Sequence, residues 1–216
     1  MLMENERIQI VEYGKRLFTS GLTRGTGGNL SVFNREKGYF GITPSGMEYM
    51  SLTPEDIVII DINGNIVDGK RKPSSEIEMH RIFYANRSDI DAIIHSHTMF
   101  STAVSCMRRD LKPVHYMIAL AGKDVKCAEY ATFGTAELAI NAFNAMEKRK
   151  AVLLPNHGIL TGAQNLETAF DILEEVEYVA ELHCRTYAMG EPVILDDQEM
   201  SIILEKFKVY GQKVLK

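Results

Sequence analysis

The chain has 216 residues, 45% of them hydrophobic, which is enough to bury a substantial core as one large domain. Its 24 basic and 29 acidic residues give a net charge of -5 with no long run of either sign. That balance excludes a basic nucleic-acid footprint and a polybasic membrane segment. No stretch approaches the roughly 20 apolar residues of a membrane span. The charged, amphipathic N-terminus reads as a helix rather than a signal peptide. Cys106, Cys127 and Cys184 lie far apart without C-x-x-C spacing, as expected of free thiols in a reducing cytoplasm.

Residues 4 to 20 set Ile8, Val11, Leu17 and Phe18 at helical spacing and predict a first helix. The glycine-rich turn "GLTRGTGGN" leads to a short alternating strand, "LSVF". "GYFGITP" and "DIVIIDINGNIV" read as strands, the second folded back at Asn63-Gly64. "KPSSEIEMHRIFYANR" opens a helix, with Pro73, two serines able to cap and Glu76 in the first turn. "DAIIHSH" is a strand, "MFSTAVSCMRR" a short helix and "KPVHYMIAL" an apolar strand or turn. "TAELAINAFNAMEKR" is a helix, and "KAVLLPNHGILTG" a buried strand pair around a turn. "LETAFDILEEVEYVAELHCRTYAMG" is a long amphipathic helix, and "DQEMSIILEKFKVYG" predicts a last one. Strands and helices mix without strict βαβ alternation, and the short turns favour antiparallel pairing. The expectation is a single α/β domain over residues 1–216, its mixed, largely antiparallel sheet covered by helices.

His95 and His97 are two apart on a predicted strand, so both imidazoles face one side. They either grip a metal or merely end the strand. His157, in the turn-forming "NHG", is an ordinary turn histidine or a third ligand. Three histidines with one exchangeable position is the arrangement of zinc used in chemistry. Glu76 stands at a helix start, where free N–H groups favour anions, and is either a capping carboxylate or a fourth ligand. His80, one turn on, offers a rival pair with Glu76 but lies deeper along the helix and reads as a packing residue or one that supports a ligand from behind. "GTGGN" lacks the spacing and the strand-to-helix order of a dinucleotide loop, which argues against a nicotinamide cofactor. With "TPSG" and "PSS" it forms a set of turns whose amides and hydroxyls suit one oxyanion pocket. His115, Tyr116 and Tyr210 are half-buried aromatics or, for a tyrosine beside a metal, proton donors. His183 reads as structural.

In order, "GTGGNLSV", "ITPSG", "KPSSE", "HSH", "HYMIALAG", "YATFGTAELA", "NHG" and "LEKFKVYG" resemble the class II aldolase/adducin family through nearly the whole chain. The resemblance implies helices on both faces of the sheet and one Zn2+ per subunit on His95, His97 and His157. Glu76 would complete the shell before substrate binds. It implies a phosphate cradle of Gly28, Asn29, Ser45, Gly46, Ser74 and Ser75. Ser45 stands where threonine is expected, and either supplies a hydroxyl. Tyr116 and Tyr210 match tyrosines that move or stabilise a proton across a subunit boundary, in a homotetramer with active sites at its interfaces. The implied reaction is reversible cleavage of a phosphorylated ketose, L-fuculose 1-phosphate, to dihydroxyacetone phosphate and L-lactaldehyde. Glu76 would handle the proton at carbon 3, and Tyr116 the proton on the new aldehyde oxygen. Alternatives are another 1-phosphoketose such as 5-deoxyribulose 1-phosphate, a pentulose-phosphate 4-epimerase, in which aspartate is expected at the Glu76 position, and a non-catalytic adducin-like module. A zinc hydrolase fits the three phosphate-like turns poorly.

Overall fold

The structure is a computed structural model that describes residues 1–209. Helix α1 (Glu4–Thr19) leads through the glycine-rich turn into β1 (Asn29–Asn34), β2 (Tyr39–Ile42), β3 (Val58–Asp61) and β4 (Ile66–Asp68). Then come α2 (Ile77–Asn86), β5 (Ala92–Ser96), α3 (Met99–Cys106), β6 (Lys126–Cys127) and α4 (Ala136–Met146). β7 (Ala151–Leu154), β8 (Gly158–Ala163), α5 (Leu166–Met189) and α6 (Asp197–Phe207) complete the order. One eight-stranded sheet runs β4-β3-β2-β1-β5-β8-β7-β6. Every pairing is antiparallel except β6 with β7. The fold is therefore the expected α/β domain.

Local chemistry sets the main features. Between β3 and β4, Asp61 Oδ1 accepts the N–H groups of Asn63 and Asn65, and Gly64 takes a φ of 93° that favours glycine. β5, β7 and β8 are buried throughout, because helices cover both faces, so they read as nearly unbroken apolar runs. α5 presents Phe170, Leu173, Val176 and Ala180 to the sheet at helical spacing, in one apolar cluster with Ala92 and Ile94 of β5. The opposite cluster joins Met79 and Phe83 of α2 and Leu138 and Ala142 of α4 to Ile93 of β5. No helix among the described residues is long and apolar enough to cross a membrane.

Two segments differ from the periodic reading. The "KPVHYMIAL" stretch is a 3-10 helix over Tyr116–Leu120. Pro113 supplies no N–H for a strand ladder, and His115 Nδ1 accepts the Met117 N–H at 3.4 Å, turning the chain locally. β6, only two residues long, pairs in parallel at the sheet edge and is too short to carry a period.

Candidate active site

The period-two geometry of β1 and β5 decides what faces α2. Asn29 is paired directly with His95, so both point the same way, as does Ser31 two residues along β1. α2 lies over that face and carries Glu76 at its N-cap position, then His80 and Tyr84 one and two turns on. Glu76 sends its side chain to the histidines rather than to its own helix: it makes no cap bond. Its Oε2 lies 3.3 Å from His95 Nε2 and its Oε1 3.5 Å from His157 Nε2.

The three histidines come together as expected. His95 Nε2 and His97 Nε2 are 3.1 Å apart, and one ring nitrogen from each of His95, His97 and His157 falls within 4.8 Å of the others. His95 donates from Nδ1 to the Ile159 carbonyl of β8 at 2.9 Å, which turns Nε2 toward the cluster. Burial pushes His95 down to about 3, with His97 adding to the shift. Burial also pushes His157 down to about 4, reinforced by His95, and lowers His97 against the pull of Glu76. At neutral pH all three are uncharged and present lone pairs. Glu76 Oε1 is buried with no hydrogen-bond donor among the described residues. Imidazole lone pairs and a carboxylate oxygen that converge on one point are the donors a divalent cation takes, and its binding releases any proton shared among them. The donor set therefore fits a metal held by His95, His97, His157 and Glu76.

Backbone proximity makes the cluster possible. A Cβ at Gly28, which has a φ of 77°, would collide with the His95 carbonyl oxygen, and one at Gly158 with that of Ser96. Only glycines let β5 approach the turn before β1 and the start of β8 this closely. Tyr49 donates to the Gly27 carbonyl at 3.1 Å, fixing that turn, while Glu177 of α5 accepts the Phe100 and Ser101 N–H groups and anchors the chain leaving His97.

A cavity of about 370 Å³ opens beside the histidines. Gly28, Asn29, Ser45, Gly46, Ser74 and Ser75 all line it. The second and third turns are stitched together, Ser45 N–H to Lys72 O at 3.0 Å and Ser74 N–H to Thr43 O at 3.1 Å. Ser74 Oγ accepts the Glu76 N–H at 3.2 Å, whereas Ser45 and Ser75 are exposed. Thr26, Tyr130, Ala131, Phe133 and Asn156, none of them given a role by the sequence motifs, also contribute to the wall. Phe133 and Tyr130 are 66% and 52% exposed, and Asn156 has a φ of 55°. Aromatics in "EYATFGT", which follows neither a helix nor a strand period, were the available signal.

Tyr116 is placed elsewhere. It is 48% exposed, packs on His115 with ring centroids 4.7 Å apart, and lines a second cavity of about 550 Å³ with Leu195, Ile203 and Phe207. Tyr210 lies outside the described residues. His183 packs against Tyr187 within α5, ring centroids 4.5 Å apart and tilted.

Residues 8–184 match the class II aldolase and adducin N-terminal domain. The 5-deoxy-D-ribulose 1-phosphate aldolase of Bacillus thuringiensis serovar kurstaki is 48% identical over 213 residues, spanning 99% of this chain and 100% of its own. The L-fuculose phosphate aldolase of Escherichia coli K12 is 43% identical over 216 residues, 98% of this chain and 99% of its own. A solved L-fuculose 1-phosphate aldolase is similar at a TM-score of 0.93 and 58% identity, covering 94% of this chain and 96% of its own.

Proposed function

The chain belongs to the class II aldolase and adducin family as a metal-dependent aldehyde-lyase of the fuculose/ribulose-phosphate type, and we propose that it cleaves L-fuculose 1-phosphate reversibly to dihydroxyacetone phosphate and L-lactaldehyde. The observation that carries this reading is the convergence of His95, His97, His157 and the unpaired Glu76 Oε1 beside a cavity lined by three hydroxyl- and amide-bearing turns. The three imidazoles and the carboxylate suit one zinc per subunit. When bound, the metal supplies a Lewis acid for the substrate carbonyl and lowers the cost of the charge left when carbons 3 and 4 part.

The chain's own residues do the rest. Gly28, Asn29, Ser45, Gly46, Ser74 and Ser75 bind the phosphate and set the register of the sugar along the cavity. Glu76, with Oε1 free of donors, takes and returns the proton at carbon 3. No lysine is required as a Schiff-base former. Tyr116 exchanges the proton on the oxygen that becomes the aldehyde, with Tyr210 beside it. Because Tyr116 is exposed in a cavity separate from its own histidines, it serves the site of a neighbouring copy, which suits a four-fold tetramer. Three free thiols fit a cytoplasmic setting.

A second reading, 5-deoxyribulose 1-phosphate as substrate, is favoured by the 48% identical Bacillus thuringiensis relative. It keeps the same phosphate and carbonyl contacts and releases acetaldehyde. Assaying a panel of ketose 1-phosphates for dihydroxyacetone phosphate, with the aldehyde identified, separates the two. The expected product is L-lactaldehyde; acetaldehyde alone selects the second reading, and no dihydroxyacetone phosphate from any ketose overturns both. Tyr116→Phe should slow cleavage yet leave proton exchange at carbon 3 of dihydroxyacetone phosphate measurable, since that exchange needs no aldehyde.

A further inference from the structure

A line of buried hydrogen bonds runs from the interior to Glu76. The Tyr84 hydroxyl meets Ser31 Oγ, which lies 2.6 Å from His80 Nδ1. His80 Nε2 meets Asn29 Oδ1, and Asn29 Nδ2 donates to Glu76 Oε2 at 2.9 Å. His80 and Ser31 are 0% exposed, Asn29 3% and Tyr84 2%. α2 supplies Glu76, His80 and Tyr84 at intervals of four, and β1 supplies Asn29 and Ser31 at an interval of two, so one helix row lies along one strand face.

The direction of every bond follows from the carboxylate. An ionised Glu76 only accepts, so Asn29 turns Nδ2 toward it and Oδ1 away. Oδ1 needs a donor, so the neutral His80 ring carries its proton on Nε2. Nδ1 is then a lone pair and accepts from the Ser31 hydroxyl, whose oxygen in turn accepts from Tyr84. Burial keeps His80 neutral, down at about 3, so a single ring proton is available for this role.

We propose that His80 is a positioning residue for Glu76: as the Nε2–H tautomer it locks the Asn29 amide, which holds Glu76 by Oε2 and leaves Oε1 for the metal or a substrate proton. Asn29 keeps its second N–H for a ligand in the cavity it lines. The proposal rests on the reading of Glu76 as ligand and base.

Two measurements test it on the full, metal-loaded protein. Long-range proton–nitrogen NMR of protein labelled at histidine should show one ring, absent in His80→Gln, protonated on Nε2 and slow to exchange with solvent. A His80 ring protonated on Nδ1 or on both nitrogens overturns the proposal without any variant having to be active. Deuterium uptake into dihydroxyacetone phosphate in heavy water gives the second measurement. His80→Leu should lower kcat for exchange about ten- to a hundredfold with KM nearly unchanged. His80→Gln, whose amide can still donate to Asn29, should recover most of that loss. A folded, metal-loaded His80→Leu exchanging at the parental rate, or a His80→Gln no better than His80→Leu, removes the positioning role. If Glu76→Gln also exchanges at the parental rate, the base reading is what fails, and the tautomer alone then decides the His80 assignment.

Discussion

On β5, Ala92 and Ile94 join the apolar cluster under α5, while Ile93 and His95 turn toward α2. β1 divides likewise, with Leu30 on the first side and Asn29 and Ser31 on the second. The α5 side is closed by aliphatic and aromatic contacts, each worth its transfer free energy and its fit. The α2 side adds to its own apolar cluster a buried carboxylate, imidazoles, an amide and hydroxyls, which are tolerable because all of them but Glu76 Oε1 find partners. Truncation on the first side should therefore move stability, and truncation of the polar groups on the second should move chemistry.

The largest expected effect lies on the polar side. His95→Ala should remove the bound metal and all measurable activity, read by elemental analysis and product formation; an active, metal-free variant would show that the polar side does not carry the chemistry. On the apolar side, Phe170 is wholly buried, with Tyr13 and the Arg16 guanidinium against its ring. Phe170→Ala should cost about 3–5 kcal/mol of unfolding free energy while turnover per folded molecule holds. A comparable loss of turnover in the folded fraction would mean the two sides are coupled.

Ser75→Ala sharpens the picture at the cavity rim. It removes one hydrogen bond to a charged phosphate, worth about 1.5–3 kcal/mol, so binding should weaken by roughly one to two orders of magnitude with little change in thermal midpoint. Equal use of the unphosphorylated sugar would place the phosphate elsewhere.

The most gradual effect is a pH dependence. His80 is held neutral in the fold, down at about 3, against 6.5 for an ordinary histidine. The unfolded chain therefore binds the extra proton first. This contribution is complete above 6.5 and is lost as pH falls from there toward 3. Between about pH 7 and about pH 5 it amounts to about 2 kcal/mol, measurable by urea unfolding of metal-free protein. His80→Gln should flatten the dependence by that share.

The strand histidines were legible because a period of two needs only local sequence, and the turns that carry Gly28, Ser45, Gly46, Ser74 and Ser75 were legible by their residue types. Helix α1, the long α5 and the hairpin at Gly64 carried equally local signals. The tie between α2 and β1 was not legible. Asn29 and Glu76 are 47 apart in sequence, and matching an interval of four to an interval of two requires the relative placement of helix and strand. The helical spacing leaves His80 either packing or supporting a ligand, and its link to Glu76 through Asn29 emerges only in three dimensions. The cavity wall at Tyr130, Phe133 and Asn156 was also hidden, because irregular segments carry no period to interpret.

The glycines that let β5 press against its neighbours also bear on how such a chain can diverge. At positions 28 and 158 a single methyl group would strike the main chain of the histidine strand, so inherited change on that side is closed off. Tyr130 and Phe133 also line the cavity beside the histidines, but with much of their surface in solvent, where replacement meets little resistance. Inherited change around this cavity is therefore channelled toward its exposed aromatic residues, where it can accumulate without disturbing the histidines.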